Sequence, residues 1–367
     1  MRVIVVAGAR PNFMKIAPIL RAADAAGVEA LLVHTGQHYD ANMSDSIFRD
    51  LGMREPDINF HVASGTHAEQ TAAVMTAFDA YLVSVDPDAV VVVGDVNSTI
   101  ACSLVAVKRG VPVAHVEAGL RSFDRTMPEE INRLVVDSIA EWLLTPSADA
   151  DENLRVEGHH AAKIIRVGNV MVDSLDDAMS RIDLDEATAR LGLPERFGLV
   201  TLHRAALVDD PALLAHVLET LGQISEDLPL VFPVHPRTRH AMAAAGLEHH
   251  RGITVLEPMG YLDFVASQAA AKVVLTDSGG LQEETTCLGT PCVTLREQTE
   301  RPITVTEGTN TVVGFDRDLT TAAVAAAMAH DGTHRRPELW DGHTAERIID
   351  AIGTRVADEA WLPYASR

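Results

Sequence analysis

Apolar runs of strand length alternate with amphipathic stretches of helical length along almost the whole chain. Val3–Ala7, Glu29–His34, Ala89–Val93, Val113–Val116, Trp142–Thr145 and Lys163–Val167 predict strands. Asn12–Ala26, Tyr39–Leu51, Glu69–Val83, Ser98–Arg109 and Glu130–Trp142 predict the helices between them. Several of the strand runs are apolar throughout and do not alternate, which is the pattern of parallel strands buried on both faces. The rhythm is that of βαβ units in a doubly wound sheet.

A second series begins after Gly168-Asn169, with strands expected at Gly198–Leu202, Leu230–Pro233, Thr254–Leu256, Lys272–Thr276 and Pro291–Leu295. Helical stretches near Ala212–Glu226, Tyr261–Ala271 and Gly280–Leu288 separate them. The expected fold class is therefore α/β, with two facing Rossmann-like, doubly wound domains and a cleft between them. The expected bounds are residues 1–170 for the first domain and 171–350 for the second, with residues 351–367 as a tail. A terminal helix near Thr344–Ala357 is expected to pack back on the first domain, and Val170–Pro194 is expected to hold the link.

A length of 367 residues agrees with two cores. The net charge of −22 argues against a general nucleic-acid or anionic-membrane surface, although local arginines still suit a phosphate. Only four lysines occur (Lys15, Lys108, Lys163 and Lys272), which makes Lys15 conspicuous beside an N-terminal strand. The three cysteines, Cys102, Cys287 and Cys292, lie in apolar segments without a CxxC and read as buried free thiols of a reducing compartment. The N-terminus lacks the form of a signal peptide, and no run approaches the length of a membrane span. A soluble, cytoplasmic protein is expected.

Polar motifs stand after strand after strand, where ligands bind in open parallel sheets. Gly8-Ala-Arg-Pro-Asn-Phe-Met-Lys15 opens the first helix and reads either as an anion-binding turn or as a plain strand-to-helix turn with two solvated cations. His38, in Thr35-Gly-Gln-His-Tyr-Asp40, reads as a substrate contact or a surface-loop histidine. Asp95 follows Ala89–Val93 and Glu117 follows Val113–Val116; two strand-end carboxylates are candidates for acid/base work, against the blander readings of turn residue and ion pair with Arg121. Glu129 and Glu130 open a helix after Pro128, and an ordinary acidic first turn explains both unless one does chemistry. Thr201-Leu-His-Arg204 and Pro233-Val-His-Pro-Arg237 place histidine and arginine at strand ends. Asp277-Ser-Gly-Gly-Leu-Gln-Glu-Glu284 suits a diphosphate on its serine and glycines and a ribose diol on Glu284, or is simply a capped helix with a close glycine turn. Arg301 closes a site or pairs with Glu300.

Taken in order, GARPNFMKIAPIL, TGQHYD, GDVNST, HVEAGLRSFDRTMPEEINR, VTLHR, PVHPRTR, LTDSGGLQEE and TERPITVTEGTN resemble the motifs of the non-hydrolysing UDP-N-acetylglucosamine 2-epimerases over nearly the full chain. The resemblance implies the two-domain GT-B fold and interconversion of UDP-GlcNAc and UDP-ManNAc in polysaccharide biosynthesis. It also implies no metal and no cofactor, and a homodimer. By motif position Asp95, Glu117 and Glu129 would be the acid/base carboxylates, and His203 would reach in from the other domain. Arg10, Lys15, His235, Ser278, Gly279, Gly280 and Glu284 would hold UDP, with His38, Arg121, Arg133, Arg204 and Arg301 as further substrate contacts.

The chemistry asks for such groups. The C2 proton of a sugar lacking an adjacent ketone is barely acidic until UDP departs and C1 becomes cation-like. A base then yields 2-acetamidoglucal, and a proton returns to the opposite face as UDP re-adds. One departure stands out: His203-Arg204-Ala205-Ala206-Leu207 replaces the more polar HRREN or HRPSN of many members, and Asp40 stands where some carry Gln. Activation by a second UDP-GlcNAc is not expected in its usual form, and a modified UDP-sugar is an open alternative. A glycosyltransferase of the same fold, a hydrolysing epimerase and a nucleotide-sugar sensor are the competing readings.

Overall fold

The computed structural model describes residues 1–36, 48–62, 65–247, 252–330 and 332–357. The chain forms two compact units. The first comprises Met1–Ser174 with Glu338–Arg367, and the second Leu175–Pro337.

The first unit carries β1 (Arg2–Ala7), β2 (Glu29–His34), β3 (Ile58–Asn59), β4 (Ala89–Val93), β5 (Val113–Val116), β6 (Trp142–Thr145) and β7 (Ile164–Arg166). They pair in the order β3-β2-β1-β4-β5-β6-β7, every pairing parallel. The second unit carries β8 (Gly198–Thr201), β9 (Leu230–Pro233), β10 (Ile253–Leu256), β11 (Val273–Thr276), β12 (Cys292–Thr294) and β13 (Asn310–Val312). Their order is β10-β9-β8-β11-β12-β13, again all parallel. Each sheet reverses its winding once, between β1 and β4 and between β8 and β11. These are the topological switch points where Rossmann-like sheets open a crevice for ligands.

The strands form where the sequence is apolar on both faces. All five residues of β4 are buried, because helices cover both sides of the sheet. Val74, Phe78 and Leu82 on the helix His67–Val85 pack over β4 and β1, and a fully buried phenylalanine such as Phe78 contributes roughly 2–3 kcal/mol. That helix starts where Thr66 accepts from the Glu69 N–H while the Glu69 carboxylate accepts from Thr66 N–H. Phe232, Leu214, Leu218 and Leu275 fill the equivalent layer of the second unit.

The chain returns to the first unit at Glu338, earlier than the expected limit of 350. Trp340 is the cause. Its ring is sealed in the first unit and its Nε1 donates to the Pro146 carbonyl at 2.9 Å. Asp173 then caps the helix Thr344–Ala357, accepting from Thr344 N–H at 3.2 Å and Ala345 N–H at 2.7 Å. This helix packs on the helix Arg10–Ala25. The expected link holds no linker; it is two helices, Val170–Arg181 and Leu184–Leu191, the first of which spans the boundary between the units. Among the described residues no helix is long and apolar enough to cross a membrane, and no cluster of His, Cys, Asp or Glu is placed to hold a metal ion.

Candidate active site

In the first unit, neighbouring strands β4 and β5 end in Asp95 and Glu117. The turn after β4 needs Gly94, whose φ is 65°, and whose Cβ position lies 3.2 Å from the Lys15 Nζ and 3.5 Å from Glu117 Oε2. A side chain there would be strained and would crowd the carboxylate. Glu117 itself has a φ of 70°. A non-glycine residue in the left-handed region costs about 1 kcal/mol or more, and such strain collects at functional sites.

Each carboxylate has one oxygen on a cation. Lys15 Nζ donates to Glu117 Oε2 at 2.5 Å, and Arg133 Nη1 donates to Asp95 Oδ2 at 2.5 Å. The other oxygen of Glu117, Oε1, is buried and has no hydrogen-bond partner among the described residues. A buried carboxylate oxygen is costly to leave unsatisfied, so this atom calls for a partner beyond those described. Asn132 Nδ2 donates to the Asp95 carbonyl at 2.8 Å, so the helix Pro128–Ile139 fixes the Asp95 turn from both sides.

Of the two glutamates at the start of that helix, Glu130 is consumed by the fold. It accepts from Ser122 N–H and Phe123 N–H at 2.9 and 3.0 Å, and from Arg133 Nη2 at 2.8 Å. Burial would raise its pKa, but the bonds from Ser122 and Arg133 outweigh burial and hold it below the usual carboxylate range. Glu129 is half-buried and makes no hydrogen bond or ion pair among the described residues, which leaves it available for proton transfer.

Other residues singled out in the sequence fall elsewhere. Arg121 is buried, with Nη2 2.7 Å from Asp137 Oδ2 and 2.6 Å from Glu157 Oε2, so its charge is spent inside the fold and not on Glu117. At the Gly8 turn most of the backbone donors are taken up internally. Gly8 N–H and Ala9 N–H both donate to Asn12 Oδ1, at 3.0 and 2.9 Å, Pro11 has no N–H, and Asn12 N–H is held by the Ala9 carbonyl. The turn is closed by its own asparagine. Arg10 begins the helix; its side chain, like His38 and Asp40, lies outside the described residues.

In the second unit, β9, β8 and β11 stand side by side and end in His235, His203 and Ser278. The two histidine rings lie 6.1 Å apart. Asp277 organises this end. Its Oδ2 accepts from the His203 and Arg204 N–H groups at 2.9 and 2.8 Å, and its Oδ1 lies 3.0 Å from His203 Nδ1. Burial would raise Asp277, but His203 and these backbone donors lower it further. Asp277 is not among the residues singled out by the sequence; its place directly after a buried strand is the signal it carries.

Ser278, Gly279 and Gly280 turn into the helix Gly279–Leu288, whose first N–H groups have no intrahelical partner. A Cβ at Gly280 would meet open space, whereas one at Gly279 would lie 2.5 Å from Arg301 Nη1. Gly279 is thus needed so that the Arg301 guanidinium can rest on the helix end. Arg301 also lies 3.0 Å from Glu283, and Arg204 and Arg296 lie 3.8 and 2.7 Å from Glu300. Burial and the nearby charge of Arg296 lower Arg204, with Glu300 opposing them. Arg301 Nη1 also lies 3.6 Å from Glu300, so the three guanidiniums share the carboxylates of Glu283 and Glu300. Glu284, one turn on, is fully buried with Gln268 Nε2 at 2.7 Å, and burial pushes its pKa up to about 7 against that hydrogen bond. Ala205 and Ala206 of the departing motif are exposed on a short helix, Ala205–Val208, anchored by buried Leu207 and Val208.

The family model for UDP-N-acetylglucosamine 2-epimerase matches residues 21–353. The chain belongs to this family. It is 38% identical over 359 residues to the UDP-N-acetylglucosamine 2-epimerase of Methanocaldococcus jannaschii, covering 95% of this chain and 98% of the relative. The solved structure of the M. jannaschii UDP-GlcNAc 2-epimerase with UDP-GlcNAc and UDP superposes with a TM-score of 0.90, over 96% of this chain and 100% of that one, at 38% identity. The UDP-2,3-diacetamido-2,3-dideoxy-D-glucuronate 2-epimerase of Pseudomonas aeruginosa is 40% identical over 358 residues, covering 96% and 99%. As a member of this family the protein is an epimerase built from two Rossmann-like domains.

Proposed function

We propose that the protein interconverts UDP-GlcNAc and UDP-ManNAc without hydrolysing the sugar–UDP bond. The observation that carries this reading is Glu117 at the end of β5, strained, pinned through Oε2 and with Oε1 buried and without a hydrogen-bond partner among the described residues, beside Asp95 at the end of the adjoining strand. Family membership supports the substrate class.

The division of labour follows from the chemistry at each sheet. In the second unit Ser278, the N–H groups of Gly279 and Gly280, Arg204 and Arg301 hold the diphosphate and stabilise the charge that grows as the C1–O bond breaks. Glu284 accepts from the ribose, and His203, held by Asp277, adds a donor to the leaving phosphate. In the first unit one carboxylate of Asp95, Glu117 and Glu129 takes the C2 proton as UDP departs with the C1–O electron pair. The product pair is 2-acetamidoglucal and UDP. A second protonated carboxylic acid then delivers its proton to the other face of C2 while UDP re-adds at C1, so no atom is gained or lost.

Proton NMR of UDP-GlcNAc with the protein in D2O tests this. A UDP-ManNAc anomeric signal with deuterium at C2 and UDP still attached is the expected result. Free ManNAc with UDP, or binding without exchange or product, would overturn it. The P. aeruginosa relative favours one specific alternative, a UDP-sugar modified at C3 and C6, which would epimerise while UDP-GlcNAc stays inert. A homodimer is the proposed assembly, to be read by light scattering.

A further inference from the structure

Behind the two strand-end carboxylates lies a buried set of charges that none of the substrate-facing roles uses. Asp137, on the helix Pro128–Ile139, is sealed from solvent, as is His115 on β5. Asp137 Oδ1 is 2.6 Å from His115 Nδ1, and Oδ2 accepts from Gly119 N–H at 3.1 Å and Arg121 Nη2 at 2.7 Å. The other ring nitrogen of His115, Nε2, is 2.9 Å from the Gly94 carbonyl. Both ring nitrogens thus lie within hydrogen-bond distance of an oxygen on another element or turn. Burial alone would raise Asp137, but the charge and hydrogen bond of His115, then those of Arg121, outweigh it and keep it a carboxylate.

The placement of these bonds is what matters. His115 precedes Glu117 and Gly119 follows it, and one carboxylate, Asp137, holds both flanks of that strained turn. The same imidazole holds the carbonyl of Gly94, the residue directly before Asp95. A single buried pair thus ties the turn carrying Glu117 to the turn carrying Asp95. Cement for the fold alone would not need the His115–Gly94 bond, since β4 and β5 already pair along their length.

We propose that His115 and Asp137 are positioning residues that fix the separation and aim of Asp95 and Glu117 for proton transfer at the sugar. This rests on the function proposed above, and its test separates the two. His115→Gln, Asp137→Asn and the control Val136→Ala, a buried neighbour on the same helix without bonds to either turn, are assayed beside wild type well below each melting temperature. His115→Gln and Asp137→Asn are expected to lose about tenfold or more in kcat, with KM and the UDP dissociation constant within about threefold, while Val136→Ala keeps kcat within about twofold. Unchanged kcat in His115→Gln, or an equal loss in Val136→Ala, would overturn the proposal. Should Asp137→Asn fail to fold, His115→Gln decides, because it leaves Asp137 with Arg121 and Gly119. A wild type inert on every UDP-2-acetamido sugar would instead refute the function. The positioning role is then judged by the amide NMR shifts of Asp95 and Glu117: moved by His115→Gln and not by Val136→Ala in support, unmoved in refutation.

Discussion

Replacing Lys15 with methionine removes the ammonium 2.5 Å from Glu117 Oε2 while keeping much of the apolar stem. The side chains of Lys15 and Glu117 are only 12% and 4% exposed, so water replaces the lost partner poorly. Breaking a buried pair by removing one member costs about 3–5 kcal/mol, and the residual exposure of Lys15 favours the lower end. The penalty falls where the carboxylate is aimed. Glu117 loses the anchor on Oε2 that keeps Oε1 free of a protein partner among the described residues. If Lys15 orients Glu117, kcat should fall about a hundredfold or more, within the range that a placed acid/base group contributes. KM and the UDP dissociation constant, measured by turnover kinetics and calorimetry, should stay within about twofold. If Lys15 instead holds UDP, as motif position implies, affinity for UDP should weaken by about tenfold, or 1.4 kcal/mol, with kcat preserved. That second outcome would refute the orientation argument.

Asp277→Ala should weaken UDP binding by about tenfold, because it strands the N–H groups of His203 and Arg204 and frees the imidazole; calorimetry showing unchanged affinity would count against its role. Glu284 holds its proton more tightly folded, at about 7, than its ordinary value of 4.5. Between those values the native chain binds more protons than the unfolded one, so this stability is present at low pH and lost as pH rises through about 7. Denaturant titrations should show wild type losing up to about 3 kcal/mol more than Glu284→Gln between about pH 5 and pH 8, and superimposable pH profiles would refute the assignment. Trp340→Ala should cost about 3–5 kcal/mol in the same titrations, since it empties a sealed site and strands the Pro146 carbonyl; a loss below about 1 kcal/mol would contradict that packing.

The sheets were legible because their central strands are buried on both faces. β4 is an unbroken apolar run, and β11 is apolar from Val273 to Leu275. β3, two residues long, and β13, which begins with Asn310, carry no such pattern and form only because a neighbour offers an edge. Strand ends located the polar residues, but sequence gives a residue's place and not the direction of its side chain. Arg121 follows Glu117 closely in the chain yet pairs with Asp137 and Glu157. Lys15 and Glu117 meet from distant parts of the chain, and no spacing rule links them. The return to the first unit at Glu338 carries no periodic pattern, because it runs through a loop before the helix beginning at Thr344. A lone tryptophan in such a stretch was the hint that it is buried somewhere.

In sequence the second unit interrupts the first, and this sets an order of completion during synthesis. The contiguous stretch Leu175–Pro337 has every strand of its sheet by the time β13 is made, and closes its core once the helix Arg317–Met328 brings in Val324. The unit begun earlier must wait. Its seven strands are already present, but Trp340 and the helix beginning at Thr344 have yet to arrive. Until they do, Asp173 lacks the helix start it caps and the Pro146 carbonyl has no indole donor. The unit that carries Asp95 and Glu117 is the first to be started and the last to be finished, so a nascent chain completes the sheet beside Arg204 and Arg301 before the earlier unit is sealed.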